Sequence, residues 1–450
     1  MRAAPNRRID VILPTMRSAV VLLLPKTGYR NDDFVAAAHK LDVEVIAASD
    51  VCHQLAEGTM ALGIRDPERA AEELARGVGA RQPRAIIGVD DQTALVAVLT
   101  SEKLGLPHNP VRSVAAARSK AQSRERLRAA GLPVPRFQVV PRDLVDLDEV
   151  SVPFPCVVKP LVLSGSRGVI RADTPAELRE ALRRVAALLQ SPDVAQRRDP
   201  DFARLLIEEF ISGPEVALEG LLAGGRLHVL ALFDKPDPLD GPFFEETLYI
   251  TPSRHPALLQ DAVARAVSEG CAALGLVEGP IHAELRLSPA GPRLLEIAAR
   301  SIGGLCGRAL RFGVGVTLEE LVLRHALGMH ADPPPREGRA AGVLMLPIRK
   351  RGLLEEVRGL TEARAVPLIE DIVITARLRE EIVPLPEGAS YLGFAFARGE
   401  KPEQVEAALR EAGSKIEAVV TPRLPVAPKL EVELELELEL KPEPKRPFEF

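Results

Sequence analysis

Short apolar runs alternate with amphipathic stretches through the first hundred residues, and this alternation limits the fold more than any other feature of the sequence. In chain order, the runs and stretches take turns at 19–24, 33–41, 43–47, 67–75, 85–89 and 93–104. Strands that alternate with helices in this way predict a parallel sheet with helical crossovers. Asp90 and Asp91 follow the run that ends at Val89, and open α/β sheets bind ligands at the carboxyl ends of such strands.

Composition and charge exclude several classes of protein. The chain has 450 residues, of which 46% are hydrophobic, and a net charge of -5, so a disordered or fibrous chain is excluded and no nucleic-acid partner is indicated. Its four cysteines lack the spacing of a disulfide framework or a zinc site, which is typical of reducing cytosol. The longest early apolar run has six residues, well short of the ~20 that a membrane span needs. We therefore expect a cytoplasmic protein without a membrane partner.

Changes of pattern divide the chain into four parts. The alternating region is the first domain, 1–112, and it is followed by a block of mixed strands and helices at 113–332. Three prolines at 333–335 mark a linker at the start of the next part, a small α+β domain at 333–420. Residues 421–450 form a low-complexity tail, in which Glu431–Leu440 alternates acidic and apolar residues. Strand addition or aggregation by that segment is the less favoured alternative.

A β-hairpin is predicted from the strand-forming residues on either side of the loop Ser288–Pro292. If all five loop residues form the turn, Leu287 pairs with Arg293. Counting back equally along both strands then places Glu284 directly opposite Glu296. The hairpin therefore presents two facing carboxylates.

This pair of acids indicates a cation site. Like charges that face each other across two strands repel, so Glu284 and Glu296 make sense with a cation between them. Two carboxylates with room for phosphate oxygens and water suit Mg²⁺. The alternative is that both acids point to solvent. In either case the opposite, core face of the hairpin would carry Ala283, Leu285, Leu295 and Ile297.

A second candidate element is Lys159 with the loop that follows it. A lysine at the end of a strand of buried type needs a partner, because an isolated buried ammonium is costly. The loop Ser164-Gly165-Ser166-Arg167-Gly168 offers backbone N–H groups, hydroxyls and a cation, which are suited to covering a polyphosphate. It matches neither G-x-x-x-x-G-K-[ST] nor G-x-G-x-x-G. A flexible hairpin turn is the alternative.

Two further segments carry groups that could bind a ligand. The residues Glu208, Glu209, Phe210 and Ile211 end a strand, and with Glu215 they could offer backbone edges to a flat base and a carboxylate to ribose hydroxyls; a Glu-rich surface turn is the alternative. Arg300, followed by Gly303 and Gly304, supplies a planar cation for a carboxylate or phosphate, unless it is an ordinary surface arginine.

The remaining candidates lie around residues 233–247 and at His282. The proline and glycine content of 233–247 predicts an ordered loop over a site. His282 lies close to Glu284 in sequence and could contact a substrate, although a hydrogen-bonded structural histidine fits the pattern equally well. Between Pro25 and Tyr29 the first strand-to-helix turn lacks the glycine fingerprint of NAD-dependent enzymes.

In their order and spacing these elements resemble the ATP-grasp superfamily, and more narrowly the L-amino acid ligase group of carboxylate-amine ligases. Lys120 lies on a helix that we expect to run from Ser113 toward Arg128, and the lysine loop, the Glu-rich hinge and the paired acids follow it. The resemblance implies an α/β and α+β ATP-grasp fold. Its parts would be an N-terminal Rossmann-like pre-ATP-grasp domain (1–112), an ATP-grasp domain of two α+β subdomains (113–332) and a small C-terminal α+β domain (333–420).

The same resemblance implies roles for individual residues. ATP would contact Lys120 and Lys159, the covering loop Ser164, Gly165, Ser166 and Gly168, the adenine hinge Glu208, Glu209, Phe210 and Ile211, and Glu215 at the ribose. Glu284 and Glu296 would hold Mg²⁺, with Mn²⁺ as an alternative ion. Arg300 would be the catalytic cation on the substrate carboxylate, and Gly303, Glu246 and His282 would complete the substrate site.

The function implied is ATP-dependent joining of a small-molecule carboxylate to an amine through an acyl phosphate, with release of ADP and phosphate. Many superfamily members carry an asparagine where this chain has Ala298, which disfavours a carboxylase or a purine-pathway ligase. A non-catalytic ATP-binding module is the other alternative. Dimers are usual in the resembling family, so a homodimer is an expectation from the resemblance alone.

Overall fold

The structure, a computed structural model, describes residues 18–26, 28–50, 59–144, 146–197, 199–329 and 333–422. The acidic and apolar segment Glu431–Leu440 lies outside these residues, as does Cys52. Within the described part of the chain, no helix has both the length and the apolar character needed to cross a bilayer.

The N-terminal unit is the parallel α/β layer that the alternating pattern predicts. Its elements are β1 (Ala19–Leu23), α1 (Asn31–Lys40), β2 (Glu44–Ser49), β3 (Met60–Ala61), α2 (Pro67–Val78), β4 (Ala85–Gly88) and α3 (Asp91–Leu104). The strands pair in parallel in the order β3-β2-β1-β4. Strand β1 is buried along its whole length, as expected of a parallel strand with helices on both faces.

The chain turns tightly from β4 into α3, and a helix cap and close packing fix this junction. Asp90 caps α3: its carboxylate accepts from the Thr93 N–H at 2.7 Å, while the Thr93 hydroxyl accepts from the Asp90 N–H at 3.0 Å. Gly88 packs against the first turn of α3, and a Cβ atom there would overlap backbone atoms of Thr93 and Ala94. The chain therefore turns from strand to helix with Asp91 at the helix start.

A helix pair and a four-stranded antiparallel sheet come next. Their elements are α4 (Val111–Arg118), α5 (Lys120–Ala129), β5 (Phe137–Pro141), β6 (Cys156–Pro160), β7 (Ile170–Ala172), α6 (Pro175–Leu189), α7 (Pro192–Ala195) and β8 (Arg204–Glu209). The sheet order is β5-β8-β6-β7. Leu178, Leu182 and Val185 of α6 pack on one face of this sheet.

The expectation of one continuous helix from Ser113 toward Arg128 is wrong, because the structure has two helices there. Helix α4 ends at Arg118, and Ser119 is extended, with φ -97° and ψ 113°, before α5 begins. The break has a tertiary cause, since the Lys120 N–H donates to the Leu161 carbonyl at 2.9 Å and the Ser119 hydroxyl contacts Asp201 at 3.0 Å. Neither partner is near in sequence, so a propensity argument does not reveal the break.

The rest of the chain forms one large sheet with smaller additions. Its elements are β9 (Glu215–Ala223), β10 (Arg226–Lys235), β11 (Leu248–Thr251), α8 (Ala257–Leu274), β12 (Gly279–Ser288), β13 (Gly291–Ala298), β14 (Arg311–Phe312), β15 (Val316–Thr317), α9 (Leu318–Ala326), β16 (Ala340–Leu346), β17 (Gly352–Arg358), α10 (Leu360–Arg364), β18 (Ile369–Ile374), β19 (Glu381–Ile382), β20 (Gly393–Gly399), α11 (Pro402–Lys415) and β21 (Glu417–Thr421).

This eight-stranded sheet crosses the predicted domain boundary. Its order is β13-β12-β9-β10-β11-β16-β20-β18, so β16 from the C-terminal segment pairs with β11, with Leu248 opposite Leu344 and Thr251 opposite Ala341. A separate sheet, β19-β17-β21, completes the C-terminal segment. The prolines at 333–335 interrupt the secondary structure, but β16 after them belongs to the same sheet as β9 to β13 before them. The four-part domain division stays a prediction.

The predicted hairpin is present with a different turn. Ser288 pairs with Gly291 and Leu287 with Pro292, so the turn is formed by two residues and the expected Leu287–Arg293 pair is wrong. The predicted five-residue loop would require the chain to leave the ladder earlier than it does.

Glu284 nevertheless lies opposite Glu296, because β13 contains a bulge. Leu294 pairs with Leu285, and the extra residue Leu295 then shifts the register back by one. The expectation that Leu295 belongs to the core face is therefore wrong: Leu294 packs in the core in its place, and Leu295 lines the cleft described below.

Substituting Gly88 with alanine should destabilise the protein. The new Cβ would overlap backbone atoms of α3, and overpacking of this kind costs about 1–3 kcal/mol. We expect a drop in the melting temperature in a thermal-shift measurement. Gly63→Ala is the matched control, because a Cβ at Gly63 meets nothing within 4 Å. Equal melting temperatures for the two variants would contradict this account of the β4–α3 junction.

Candidate active site

A cleft of about 1240 Å³, open solvent at its mouth included, lies between the four-stranded and the eight-stranded sheets. The predicted site residues that line it come from both sheets, from α5 and from the loops after β6, β8, β10 and β13: Lys120, Lys159, Ser164, Gly165, Ser166, Glu208, Glu209, Phe210, Ile211, Glu215, Glu246, His282, Glu284, Glu296, Arg300 and Gly303. Gly168 does not line the cleft. Its N–H donates to the Pro386 carbonyl at 2.8 Å, and its φ of 73° favours glycine.

The loop after β6 reaches the cleft with its serines but not with its cation. Ser164, Gly165 and Ser166 line the cleft. Arg167 is only 8% exposed and is turned away: its Nε donates to the Glu387 carbonyl at 2.9 Å, and its guanidinium is 2.7 Å from Asp193. The prediction that Arg167 offers its charge to a bound polyphosphate is therefore wrong. Arg167 instead fastens the loop to the C-terminal segment and to α7.

Lys159 has the partner that its position requires. The Lys159 ammonium contacts the buried carboxylate of Glu208, which Arg124 of α5 also binds at 2.9 Å through its Nε. Burial alone would raise the pKa of Glu208, but Arg124 and Lys159 hold it at about 2. The Glu208 side chain is thus committed to this ion pair.

Arg124 was missed in the sequence analysis. It is 1% exposed and also donates to the Leu295 carbonyl at 2.9 Å, so it ties α5 to the bulge of β13. The available signal was its spacing of four from Lys120, which places both cations on one face of α5.

Lys120 completes this side of the cleft. Its Nζ donates to the Leu163 carbonyl at 2.7 Å and lies 3.5 Å from Glu296 Oε2. Because Leu163 immediately precedes the serine loop, one ammonium connects that loop to the acid at the end of the hairpin.

An apolar slot lies beside these cations. Phe210 and Phe244 stack with ring centroids 6.3 Å apart, and the Arg286 guanidinium lies 5.0 Å from the Phe210 centroid. Val157 and Leu239 also line this part of the cleft. Stacked rings and aliphatic side chains are suited to the faces of a flat heterocycle.

Lys235, the last residue of β10, organises the acidic centre of the site. Its Nζ lies 2.5 Å from Glu215, 2.7 Å from Glu246 and 3.1 Å from Glu284, and 4.9 Å from the centroid of the Tyr249 ring. Burial would lower the pKa of Lys235, but the three carboxylates raise it well above its ordinary value. The sequence pattern predicts a loop at this residue, although Lys235 repeats the pattern of Lys159, a lysine at the end of a buried strand.

The acids around Lys235 titrate unequally. Burial and the adjacent Glu284 raise the pKa of Glu246 to about 7. Burial would also raise the pKa of Glu284, but Lys235 and His282 hold it well below its usual range. Glu284 is therefore ionised at neutral pH, while Glu246 is close to its titration midpoint.

Two groups of acids carry carboxylate oxygens of the kind that coordinate a divalent cation. Ligand oxygens of Glu215, Glu246 and Glu284 all lie within 4.8 Å of one another, but the Lys235 ammonium already lies among them. Glu284 and Glu296 share one face of the hairpin and line the same cleft, with hard carboxylate oxygens of the kind that Mg²⁺ prefers. This second pair fits the ion, with Ala298 supplying no third side-chain ligand.

His282 is held by an acid that the sequence analysis missed. Its Nδ1 is 3.1 Å from the carboxylate of Glu219, which is fully buried and also accepts from the Ile302 N–H at 3.0 Å. The Nε2 lies 3.6 Å from Glu284. Burial would lower the pKa of His282, but Glu219 and Glu284 raise it to about 9. The imidazole is thus charged at neutral pH and fixed in orientation.

The N-terminal unit positions Arg300. Asp91 at the start of α3 is 2.9 Å from the Arg300 guanidinium, and the pKa of Arg300 is raised because this attraction exceeds the effect of burial. The neighbouring Ser301 hydroxyl accepts from Arg30 at 2.6 Å, and Arg30 also donates to the Val89 carbonyl at 2.8 Å. Of the two acids predicted at the end of β4, Asp91 therefore reaches the site through Arg300, whereas Asp90 caps α3.

The fold and the cleft together define an ATP-grasp protein. A family model for the ATP-grasp domain matches residues 152–309, and one for the L-amino acid ligase C-terminal domain 2 matches residues 344–421. The chain therefore carries an ATP-grasp domain followed by a segment of the L-amino acid ligase C-terminal type, in the order that its motifs suggested.

Individual relatives agree with this assignment. The crystal structure of an L-amino acid ligase from Bacillus licheniformis superposes with a TM-score of 0.78 and 27% identity, over 90% of this chain and 100% of that one. Carnosine synthase 1 from Gallus gallus is 31% identical over 334 residues, 68% of this chain but 35% of its own length. The uncharacterized protein y4rH from Sinorhizobium fredii is 27% identical over 322 residues, 70% of this chain and 64% of its own length. The chain thus spans less than two thirds of these two curated relatives.

Removing the Glu208 charge should cost stability in a pH-dependent way. Its folded pKa of about 2 lies below the ordinary value of 4.5, so its contribution is fully present above about pH 5 and is lost as the pH falls toward 2. We expect Glu208→Gln to lose about 3 kcal/mol at pH 7. Melting temperatures measured from pH 7 to pH 3 should show the gap to the unsubstituted protein narrowing below pH 4.5.

Glu125→Gln is the control for that experiment. Glu125 contacts Arg128 on the exposed face of the same helix, and exposed ion pairs contribute about 0–1 kcal/mol. A Glu208→Gln variant that melts like Glu125→Gln at every pH would show that the buried ion pair contributes nothing.

Proposed function

We propose that this protein is an ATP-dependent ligase that joins a carboxylate to an amine through an acyl phosphate, with amino acids as substrates and ADP and phosphate as products. The observation that carries the proposal is the placement of two facing acids, Glu284 and Glu296, in one cleft with Arg300 and with the lysines of a nucleotide site. Each group supplies one requirement of phosphoryl transfer to a carboxylate.

The nucleotide would lie between the two sheets. The adenine fits the slot of Phe210, Phe244 and Val157, with the backbone of 209–211 at its edge. Glu215 would accept ribose hydroxyls with the lone pairs that Lys235 leaves free. These roles rest on the chemistry of the lining residues.

The phosphates would extend toward the hairpin. Lys120 and Lys159 carry the positive charge on this path, and Ser164 and Ser166 offer hydroxyls above it. Glu284 and Glu296 would hold Mg²⁺, or Mn²⁺ in its place, and the chemistry it would supply is neutralisation of the charge on the transferring phosphoryl group. Lys120, at 3.5 Å from Glu296, keeps the two ends of this path together.

Arg300 would bind the carboxylate that is to be activated. Asp91 and the Ser301 carbonyl occupy one side of the guanidinium, which leaves its remaining N–H groups for a substrate. A carboxylate oxygen attacks the γ-phosphorus, the bond to ADP breaks, and an acyl phosphate forms. The amine then attacks the acyl carbon, and phosphate leaves as the amide forms. His282 and Glu246 would contact the amino acid.

Named relatives support this reaction class. Besides carnosine synthase 1, they include dapdiamide A synthase from Enterobacter agglomerans and D-alanine--D-alanine ligase from Aromatoleum aromaticum, matched over 34% and 40% of this chain. A cytoplasmic location is part of the proposal, because the described cysteines Cys156, Cys271 and Cys306 are free and buried. A homodimer stays an expectation from the resemblance.

The test is ADP release from MgATP in the presence of mixed amino acids. We expect release to depend on amino acids and to fall at least about 100-fold in Glu296→Gln, because a charge-neutralising ligand is lost. Glu269→Gln, an exposed acid on α8, is the matched control and should keep full activity.

Three other outcomes would contradict the proposal. ATP binding without ADP release under any pair of substrates would favour a non-catalytic ATP-binding module. Turnover stimulated by bicarbonate alone would favour a carboxylase. Full turnover in Glu296→Gln would remove that residue from the reaction.

A further inference from the structure

The end of the cleft beyond Arg300 has an uncharged wall. We use this name for the side chains of Tyr249, Ile302, Cys306, Met345 and Tyr391, all of which line the cleft. Ile302 follows Arg300 by two residues, and the side chains of both line the same cleft. Met345 and Tyr391 come from the C-terminal segment, through the strand β16 and the approach to β20.

This wall is rigid. The Tyr391 ring meets the Phe394 ring edge-on with centroids 5.7 Å apart, and Phe394 meets Tyr29 in the same way at 5.2 Å. The Tyr391 N–H donates to the Tyr29 hydroxyl at 3.3 Å, and the Met345 N–H donates to the Thr247 carbonyl at 2.7 Å. Side chains held from several elements present a fixed shape to whatever binds beside them.

Gly304 keeps the wall close to Arg300. Its φ is 60°, and a Cβ there would lie 2.8 Å from the Phe394 ring and 3.5 Å from Cys306 Sγ. The backbone can therefore pass directly against Phe394. The chain after Arg300 is thereby brought against the strand that carries Phe394, which Tyr391 also contacts.

The charges near the wall are mostly negative or already paired. Glu246 lines the same cleft as Cys306 and Tyr391. Lys235 is saturated by three carboxylates, and His282 by Glu219. Of the described residues that line this end of the cleft, Arg300 is the cation left for a substrate carboxylate.

We propose that the uncharged wall is the side-chain subsite for the amino acid whose carboxylate is activated. This subsite selects uncharged side chains and rejects acidic ones. Met345 and Tyr391 are its specificity-determining residues. This inference rests on the proposed ligase function. The amino acid binds Arg300 through its carboxylate and faces Glu246 with its ammonium group. Its side chain lies along Ile302 toward Met345. An acidic side chain there would lose its hydration without gaining a cation, and it would face Glu246.

The experiment measures ADP release with one fixed amine and a series of acids of similar size. Methionine, glutamine and glutamate form one set, and leucine, asparagine and aspartate form another. We expect kcat/KM for methionine and leucine to exceed that for glutamate and aspartate by at least about 100-fold, with the amides between. The differences should lie in kcat/KM for the acid and leave KM for ATP unchanged, because the nucleotide occupies the other end of the cleft.

Variants of Met345 assign the selection to the wall. Met345→Ala should shift the preference from methionine toward phenylalanine about tenfold, since it enlarges the subsite. Met345→Lys should raise kcat/KM for glutamate relative to methionine about tenfold, since it supplies the missing cation. Met329→Ala, at a methionine that is 43% exposed, is the control and should leave both ratios unchanged. Melting temperatures with bound ATP show that each variant is folded.

The outcomes separate this inference from the proposed function. Turnover with glutamate equal to that with methionine would overturn the subsite and leave the ligase intact. Unchanged ratios in folded Met345→Ala and Met345→Lys would overturn the assignment to Met345. No ADP above the Glu296→Gln background with any acid and amine would overturn the ligase, and the subsite with it.

Discussion

Buried carboxylates that need cations from other elements hold this cleft together. Glu208 of β8 requires Arg124 of α5 and Lys159 of β6, while Glu215 of β9 requires Lys235 of β10. An unpaired buried charge is costly, so each acid can be buried only if the element that carries its partner is in place. The first set fastens α5 to the four-stranded sheet, and the second joins two strands of the eight-stranded sheet. Helix α5 then connects the two sheets, because Arg124 donates to the Leu295 carbonyl of β13 and Lys120 pairs with Glu296.

The same pairing explains how reactive groups are oriented. Glu219 is fully buried on β9, and it holds both the His282 ring and the backbone of Ile302. Asp91 holds Arg300 from the N-terminal unit. The substrate side of the cleft thus depends on contacts that cross from the parallel sheet to the large antiparallel one. Such a site is preorganised, which reduces the reorganisation that binding requires.

Sequence patterns predicted the parts of the site that depend on local order. The parallel N-terminal layer follows from alternating apolar runs, and the Glu284–Glu296 pair follows from the alternation of a hairpin. That pair was found with a wrong turn, because a two-residue turn and the bulge at Leu295 compensate each other. Arg124 and Glu219 could not be found in this way, because their partners lie 84 and 63 residues away and no local pattern connects them.

The C-terminal segment shows the same limit. The prolines at 333–335 indicated a linker, but pairing between β11 and β16 makes the segment part of the main sheet and brings Met345 to the cleft. Pairing between distant strands depends on the register of both and on what covers them, which a single sequence does not contain. The segment is therefore a structural part of the site, through both Met345 and Tyr391.

The central claim is that the cleft transfers the γ-phosphoryl group of ATP to a carboxylate. Its most direct test is oxygen-isotope transfer with an amino acid labelled with ¹⁸O in its carboxylate, followed by mass spectrometry of the released phosphate. The account predicts that each phosphate carries one labelled oxygen from the amino acid. Unlabelled phosphate formed along with the amide, or label found in AMP, would contradict it.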